Sequence, residues 1–334
     1  SEAARILRVG GTVAFPTETV YGLGANALDV SAVDKIFKAK GRPTDNPLIV
    51  HISDIAEIDP LVKEISKKAE SLMNKFWPGP LTLLFKRSEK VPDRITAGLD
   101  TVAIRMPSHP IAKNLIKLAG VPVAAPSANI SGRPSPTKAE HVIEDLEGKV
   151  DMIISGGDCS IGLESTVLDI TGEIPTILRP GGTTKEQLKE ILGMVLSDSA
   201  LEEADRRVDH IAAKSPGMKY THYSPDADVI IVEGERKRVV RKIQDLVEEY
   251  RKKGLKVGVM AVHETASFFN ADCVLSVGSE QEVETIAANL FATLREFDRQ
   301  GIQIVFAQSV DSKGMGMAIK NRLNKAAGFN IIRV

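Results

Sequence analysis

The chain has 334 residues, long enough for two domains that each bury a core. Its 43 Lys and Arg against 44 Asp and Glu give a net charge of -1, which argues against bulk nucleic-acid binding and means that any anion site must come from local clustering. Cys159 and Cys273 are the only cysteines and form no CxxC pair, which argues against a disulfide framework or structural zinc and fits a reducing cytoplasm. The longest apolar runs, near Val121–Ala125 and Val257–Val262, fall far short of the roughly 18 residues of a membrane span. The first residues lack the apolar core of a secretory signal, so the expected location is cytoplasmic.

In chain order, Thr12–Phe15 reads as a strand running into Pro16-Thr17-Glu18-Thr19-Val20-Tyr21-Gly22-Leu23-Gly24, small hydroxyls and glycines that let a backbone come close to something. Ser31 and Asp34 predict a capping box for the next helix, and Gly41 its end. Lys38, Lys40 and Arg42 place three cations within five residues at that helix end. On charge alone such a cluster suits the helix dipole as well as a polyphosphate. Pro47–Ile52 is a strand carrying His51, and Leu61–Phe76 has helical apolar spacing. Leu81–Phe85 and Thr101–Met106 are apolar strands, and Arg105 inside the second requires an anionic partner from protein or substrate.

Pro110–Ala119 reads as a helix, Val121–Ala125 as a buried strand and 126–136 as a polar loop. Thr137 with Glu140, and Thr184 with Gln187, read as capping boxes of two further helices. Met152–Ile154, Ser165–Ile170 and Thr176–Leu178 are strands, and the pairs Gly156-Gly157 and Gly181-Gly182 read as turns. The first domain is therefore expected to be a mixed, twisted α/β sheet of about seven strands over residues 1–200.

Residues 201–227 read as a linker, and its second half, with two Tyr, His222 and two Pro, is not generic. From 228 to 334, strands at Val229–Val232, Lys256–Val262, Cys273–Val277 and Ile302–Ala307 alternate with helices at Lys237–Lys252, Glu282–Asp298 and Met317–Ala327. That alternation predicts a smaller Rossmann-like parallel α/β domain, without a GxGxxG or GxxxxGK[ST] phosphate loop.

The first domain thus supplies cations, loop hydroxyls and amides and a strand histidine, but no nucleophile–base order and no metal-ligand spacing. This inventory suits a reaction run by positioning and charge neutralisation, such as phosphoryl or nucleotidyl transfer.

Thr17 to Gly24, Lys40-Gly41-Arg42-Pro43 with Asn46-Pro47-Leu48, Ala103-Ile104-Arg105, Pro126 to Gly132 and Glu164-Ser165-Thr166-Val167 together resemble the threonylcarbamoyl-AMP synthase family. The stretches 215–218 and 222–225, with Asn321-Arg322-Leu323 and Lys325-Ala326-Ala327, resemble its two-domain form. The resemblance implies an enzyme, a nucleotidyltransferase that condenses ATP, L-threonine and bicarbonate into threonylcarbamoyl-AMP, pyrophosphate and water. That is the first step towards N6-threonylcarbamoyladenosine in tRNA, completed by a separate transferase complex. It implies magnesium with the ATP and leaves a weak tRNA contact open.

By the same resemblance Arg42, Asn46, Thr101, Ser127, Asn129, Ser135 and Arg179 line the ATP site, joined by His222 and Tyr223 of a lid, with Lys40 and Arg42 as the charge-stabilising catalytic groups. Thr19, His51, Arg105, the backbone of Ala125 and Ser165 surround threonine. The alternative is an RNA-binding module without ATP turnover.

Overall fold

The computed structural model describes residues 1–197 and 223–334. Their contacts divide the chain into two compact units. The second takes in, besides the chain from Thr221 onward, two short excursions of the first half, Gly132–Ser135 and Ile161–Leu163.

In the first unit the helices are α1 (Glu2–Arg8), α2 (Val30–Lys40), α3 (Lys67–Phe76), α4 (Asp93–Thr96), α5 (Pro110–Ala119), α6 (Ala139–Leu146) and α7 (Lys185–Leu192). The strands are β1 (Val13–Phe15), β2 (Gly22–Asn26), β3 (Ile49–His51), β4 (Leu81–Lys86), β5 (Thr101–Arg105), β6 (Val123–Ala124), β7 (Met152–Ile153), β8 (Thr166–Asp169), β9 (Thr176–Arg179) and β10 (Leu196–Ser197). They form one mixed sheet in the order β10-β9-β8-β4-β5-β3-β6-β2-β1-β7.

Among the described residues ten strands replace the expected seven or so, and β2 shows why the pattern is hard to read. Gly22-Leu23-Gly24-Ala25-Asn26 has poor strand propensity, yet a Cβ on Gly24 would sit 2.7 Å from a Phe15 ring carbon and 2.8 Å from a Val123 methyl. The glycines are what allow β2 to lie between β1 and β6.

The predicted helix over 61–76 begins only at Lys67, where the Ser66 hydroxyl caps the Ala69 N–H at 3.2 Å. Leu61 and Val62 are apolar because they are buried in a turn, with Val62 bridged to Arg87. The cap of α2 is Asp29, which accepts from the Ser31 and Ala32 N–H groups, so the Ser31/Asp34 box does not form. The Thr137/Glu140 box is also absent. Lys138 occupies the N-cap without a side-chain bond, and the Thr137 N–H donates to Nδ1 of buried His141. The Thr184/Gln187 box is present, and Gly41 ends α2 in the left-handed region at φ 59°.

The second unit has a fully parallel sheet of β11 (Asp228–Glu233), β12 (Val257–Val262), β13 (Cys273–Gly278), β14 (Ile304–Gln308) and β15 (Ile331–Arg333), in the order β13-β12-β14-β11-β15. Its helices are α8 (Arg236–Lys252), α9 (Val283–Arg299) and α10 (Met315–Ala326). Strand β15 goes beyond the four predicted strands; it is three residues long and too short to show a period. Helix α9 lies against both excursions. Buried Arg295 donates twice to the Pro134 carbonyl (2.7 and 3.1 Å), and Gly162 meets the backbone of Ala287 and Ala288 so closely that a Cβ would be 2.4 Å from the Ala288 Cα.

Candidate active site

Strands β8, β4, β5, β3 and β6 are consecutive in the first sheet, and their register brings the proposed threonine residues together. His51 ends β3 directly beside Arg105, which ends the parallel strand β5. Thr82 stands opposite Arg105 on antiparallel β4. The Thr82 and Ser165 hydroxyls are 2.8 Å apart, and Arg179 reaches across from β9 to the Ser165 carbonyl (3.0 and 3.2 Å) and hydroxyl (3.2 Å). On the other side of His51, the Ala125 N–H donates to the Ile49 carbonyl at 3.0 Å.

The loop from β1 to β2 closes over Arg105. Thr17 holds it from within: its hydroxyl accepts from the Thr19 and Val20 N–H groups and donates to the Val20 carbonyl. That leaves the Thr19 hydroxyl to donate to Thr17 Oγ1 at 2.8 Å and to accept from Arg105 Nη1 at 2.9 Å. Arg105 Nε donates to the Gly79 carbonyl, and Nη2 lies 2.7 Å from Glu18 Oε1. The anionic partner that an arginine inside a strand requires is therefore Glu18. The two charges are close but not aligned as a hydrogen bond, and both Glu18 oxygens and Arg105 Nη2 lack a partner of good geometry.

Burial sets the charge states here. It pushes the Glu18 carboxyl up, but the Arg105 charge, together with hydrogen bonding from Arg105 and from the Glu18 and Ser108 backbone N–H groups, outweighs it and holds the group below the usual carboxylate range. His51 is driven down to about 3 by burial and by the Arg105 charge, so it is a neutral imidazole at neutral pH, with Nδ1 donating to the Ile49 carbonyl at 3.2 Å. The Cys159 thiol is pushed up to about 12, again by burial, and is no nucleophile.

Of the proposed nucleotide residues, Lys40, Ser127 and Asn129 are joined by hydrogen bonds. The Lys40 ammonium, buried beneath the 127–129 turn, donates to the Ser127 and Asn129 carbonyls and, at 3.3 Å, to Asn129 Oδ1. Arg42 donates to the Pro47 carbonyl at 3.2 Å, bracing the turn that presents Asn46. Asn46 is 1% exposed and its Oδ1 has no protein partner. Thr101 opens β5 and is half-buried.

Ser135 and Tyr223 belong to the second unit. Ser135 is buried next to the Pro134 that Arg295 holds. Tyr223 is buried in a left-handed conformation (φ 66°), stacked on Phe291 at 5.2 Å with the Arg322 guanidinium 5.5 Å from its ring centre. His222, with the linker up to it from 201, lies outside the described residues.

Glu18 and Thr82 are functional candidates that sequence reasoning missed. The available signals were a carboxylate between two threonines just after an apolar strand, and a hydroxyl inside Leu81-Thr82-Leu83-Leu84-Phe85.

The fold and the site together define a class, a two-domain α/β protein with buried charged groups and hydroxyls gathered on the central strands of a mixed sheet. A family profile described as telomere recombination (Sua5/YciO/YrdC) matches residues 5–181, and one described as threonylcarbamoyl-AMP synthase, C-terminal domain, matches 183–328. The threonylcarbamoyl-AMP synthase of Pyrococcus abyssi is 53% identical, aligned over 99% of this chain and 95% of that protein. The enzyme of the same name from Bacillus subtilis is 50% identical over 100% of this chain and 94% of its own. The crystal structure of Pyrococcus abyssi Sua5 complexed with L-threonine matches with a TM-score of 0.94 at 52% identity, covering 100% of this chain and 95% of that one. The chain belongs to the threonylcarbamoyl-AMP synthase family, in its two-domain form.

Proposed function

We propose that the chain makes threonylcarbamoyl-AMP, pyrophosphate and water from ATP, L-threonine and bicarbonate, acting as a nucleotidyltransferase in the first step of threonylcarbamoyladenosine formation in tRNA. The observation that carries this reading is the buried constellation of Thr19, His51, Arg105 and Ser165, found in a chain 52% identical throughout to a protein crystallised with L-threonine.

In this reading Arg105 attracts the threonine carboxylate, while Thr19, neutral His51 and Ser165 offer a small polar pocket around its hydroxyl. Asn46, with a buried carbonyl oxygen left unpartnered, contacts the nucleotide together with Arg42, Thr101, Ser127, Asn129, Ser135 and Arg179. Arg42 and Arg179 offset charge that builds on the departing pyrophosphate. Lys40 contributes positive potential from beneath the 127–129 turn and fixes its shape. Magnesium belongs to this reading as the counter-ion that ATP carries in. The product passes to a separate tRNA transferase complex.

Pyrophosphate release measured with ATP, magnesium and bicarbonate tests the assignment. Release should depend on L-threonine, and equal release with serine or with no amino acid contradicts it. The alternative, RNA binding without turnover, gains nothing from a net charge of -1.

A further inference from the structure

We propose that Glu18 is the residue that receives the α-ammonium group of the amino-acid substrate, so that Glu18 and Arg105 together read the zwitterion. The proposal deepens the threonine reading above and rests on it.

The first observation is geometric. The Glu18 side chain is 8% exposed, its Oε1 lies 2.7 Å from Arg105 Nη2 and the Glu18 and Ser108 N–H groups are its other nearby donors, yet neither carboxylate oxygen has a hydrogen bond of good geometry. A carboxylate offers about four acceptor positions, and leaving them poorly filled inside a protein is costly. A buried pair of this kind contributes little net stability. Its retention beside a proposed substrate pocket therefore points to a ligand that completes it.

The second observation is chemical. An α-amino acid carries its ammonium and carboxylate on one carbon, so a receptor must present a negative and a positive group side by side. Glu18 and Arg105 do so from neighbouring elements, the loop after β1 and the end of β5. An ammonium supplies three donors to the underused carboxylate, while the substrate carboxylate accepts from the guanidinium. The protein pair is neutral and so is the substrate, so binding buries no net charge. His51 is uncharged and adds no cation that would repel the ammonium.

If Glu18 served only to hold Arg105 in place, its loss would weaken every carboxylate ligand alike. If it binds the ammonium, its loss erases a preference for ligands that carry one. (R)-3-Hydroxybutanoate is L-threonine without its amino group and separates the two cases. Calorimetric titration of wild-type protein should give L-threonine an affinity at least about 100-fold above that of the deaminated analogue, because the analogue leaves a buried carboxylate without its donor. Glu18→Gln, with folding checked by thermal melting, should bring the two affinities to within about fivefold, whereas Arg105→Gln weakens both ligands. A Glu18→Gln protein that binds both more weakly at an unchanged ratio overturns the proposal. So does a wild-type protein that does not distinguish the ligands, whether or not the variant folds. A wild-type protein that binds the analogue but not threonine overturns the threonine reading itself.

Discussion

His51 shows how burial decides chemistry at the scale of a single side chain. Its pKa falls to about 3 in the folded chain from an ordinary value of 6.5, so between those limits the unfolded state binds a proton that the native state does not. Stability from this group is therefore full above about pH 6.5 and is lost as pH falls, at about 1.4 kcal/mol per unit. Urea unfolding at pH 7 and pH 5 should show wild type losing about 2 kcal/mol more than His51→Gln; equal losses would contradict the assignment. Glu18, held low by Arg105, acts in the same direction at lower pH.

Arg105→Ala leaves the Glu18 carboxylate buried without its cation and should cost roughly 3–5 kcal/mol. Combining it with Glu18→Gln should restore much of the melting temperature. Threonine-dependent pyrophosphate release should vanish in Arg105→Ala while nucleotide binding survives, and loss of both in a folded protein would count against the role given to Arg105.

At the scale of elements, the site depends on close backbone approaches. Gly181, which reads from sequence as part of a turn, sits where a Cβ would lie 2.3–2.4 Å from backbone atoms of Glu164, Ser165 and Thr166. These are backbone atoms that cannot step aside, and they carry the Ser165 to which Arg179 is bonded. Gly181→Ala should therefore lower stability by more than about 2 kcal/mol in denaturant titration; a neutral effect would show that β8 and β9 can part without cost. Lys40→Met removes a buried donor from three oxygens of the 127–129 turn. It should raise the KM for ATP far more than that for threonine, and the reverse split would misplace that turn.

The same elements show what was legible. Apolar spacing gave most strands and helices within a few residues, because those segments are buried on a regular face. It misplaced the start of α3, where Leu61 and Val62 are buried in a turn, and missed β2, whose glycines answer to neighbours distant in sequence. The cation cluster at Lys40 and Arg42 was legible as composition, but nothing local told whether the ammonium would face a phosphate or three protein oxygens. Arg105 was legible as needing an anion; that the anion is Glu18 followed only from the fold of the β1–β2 loop.

At the scale of the whole molecule, a mixed sheet and a parallel sheet each carry their own core. The excursions Gly132–Ser135 and Ile161–Leu163 break the simple division by sequence, since long-range packing such as Gly162 on α9 leaves no trace in local composition. The two family profiles together match residues 5–181 and 183–328, so both units belong to the family.

Bicarbonate carbon, threonine nitrogen and the adenylate of ATP should end in a single product. Mass spectrometry of a reaction with ATP, magnesium, L-threonine and 13C-bicarbonate tests this most directly. An adenylate with the mass of threonylcarbamoyl-AMP that carries the label is expected. An unlabelled aminoacyl adenylate, or pyrophosphate released without any threonine-containing adenylate, would contradict it.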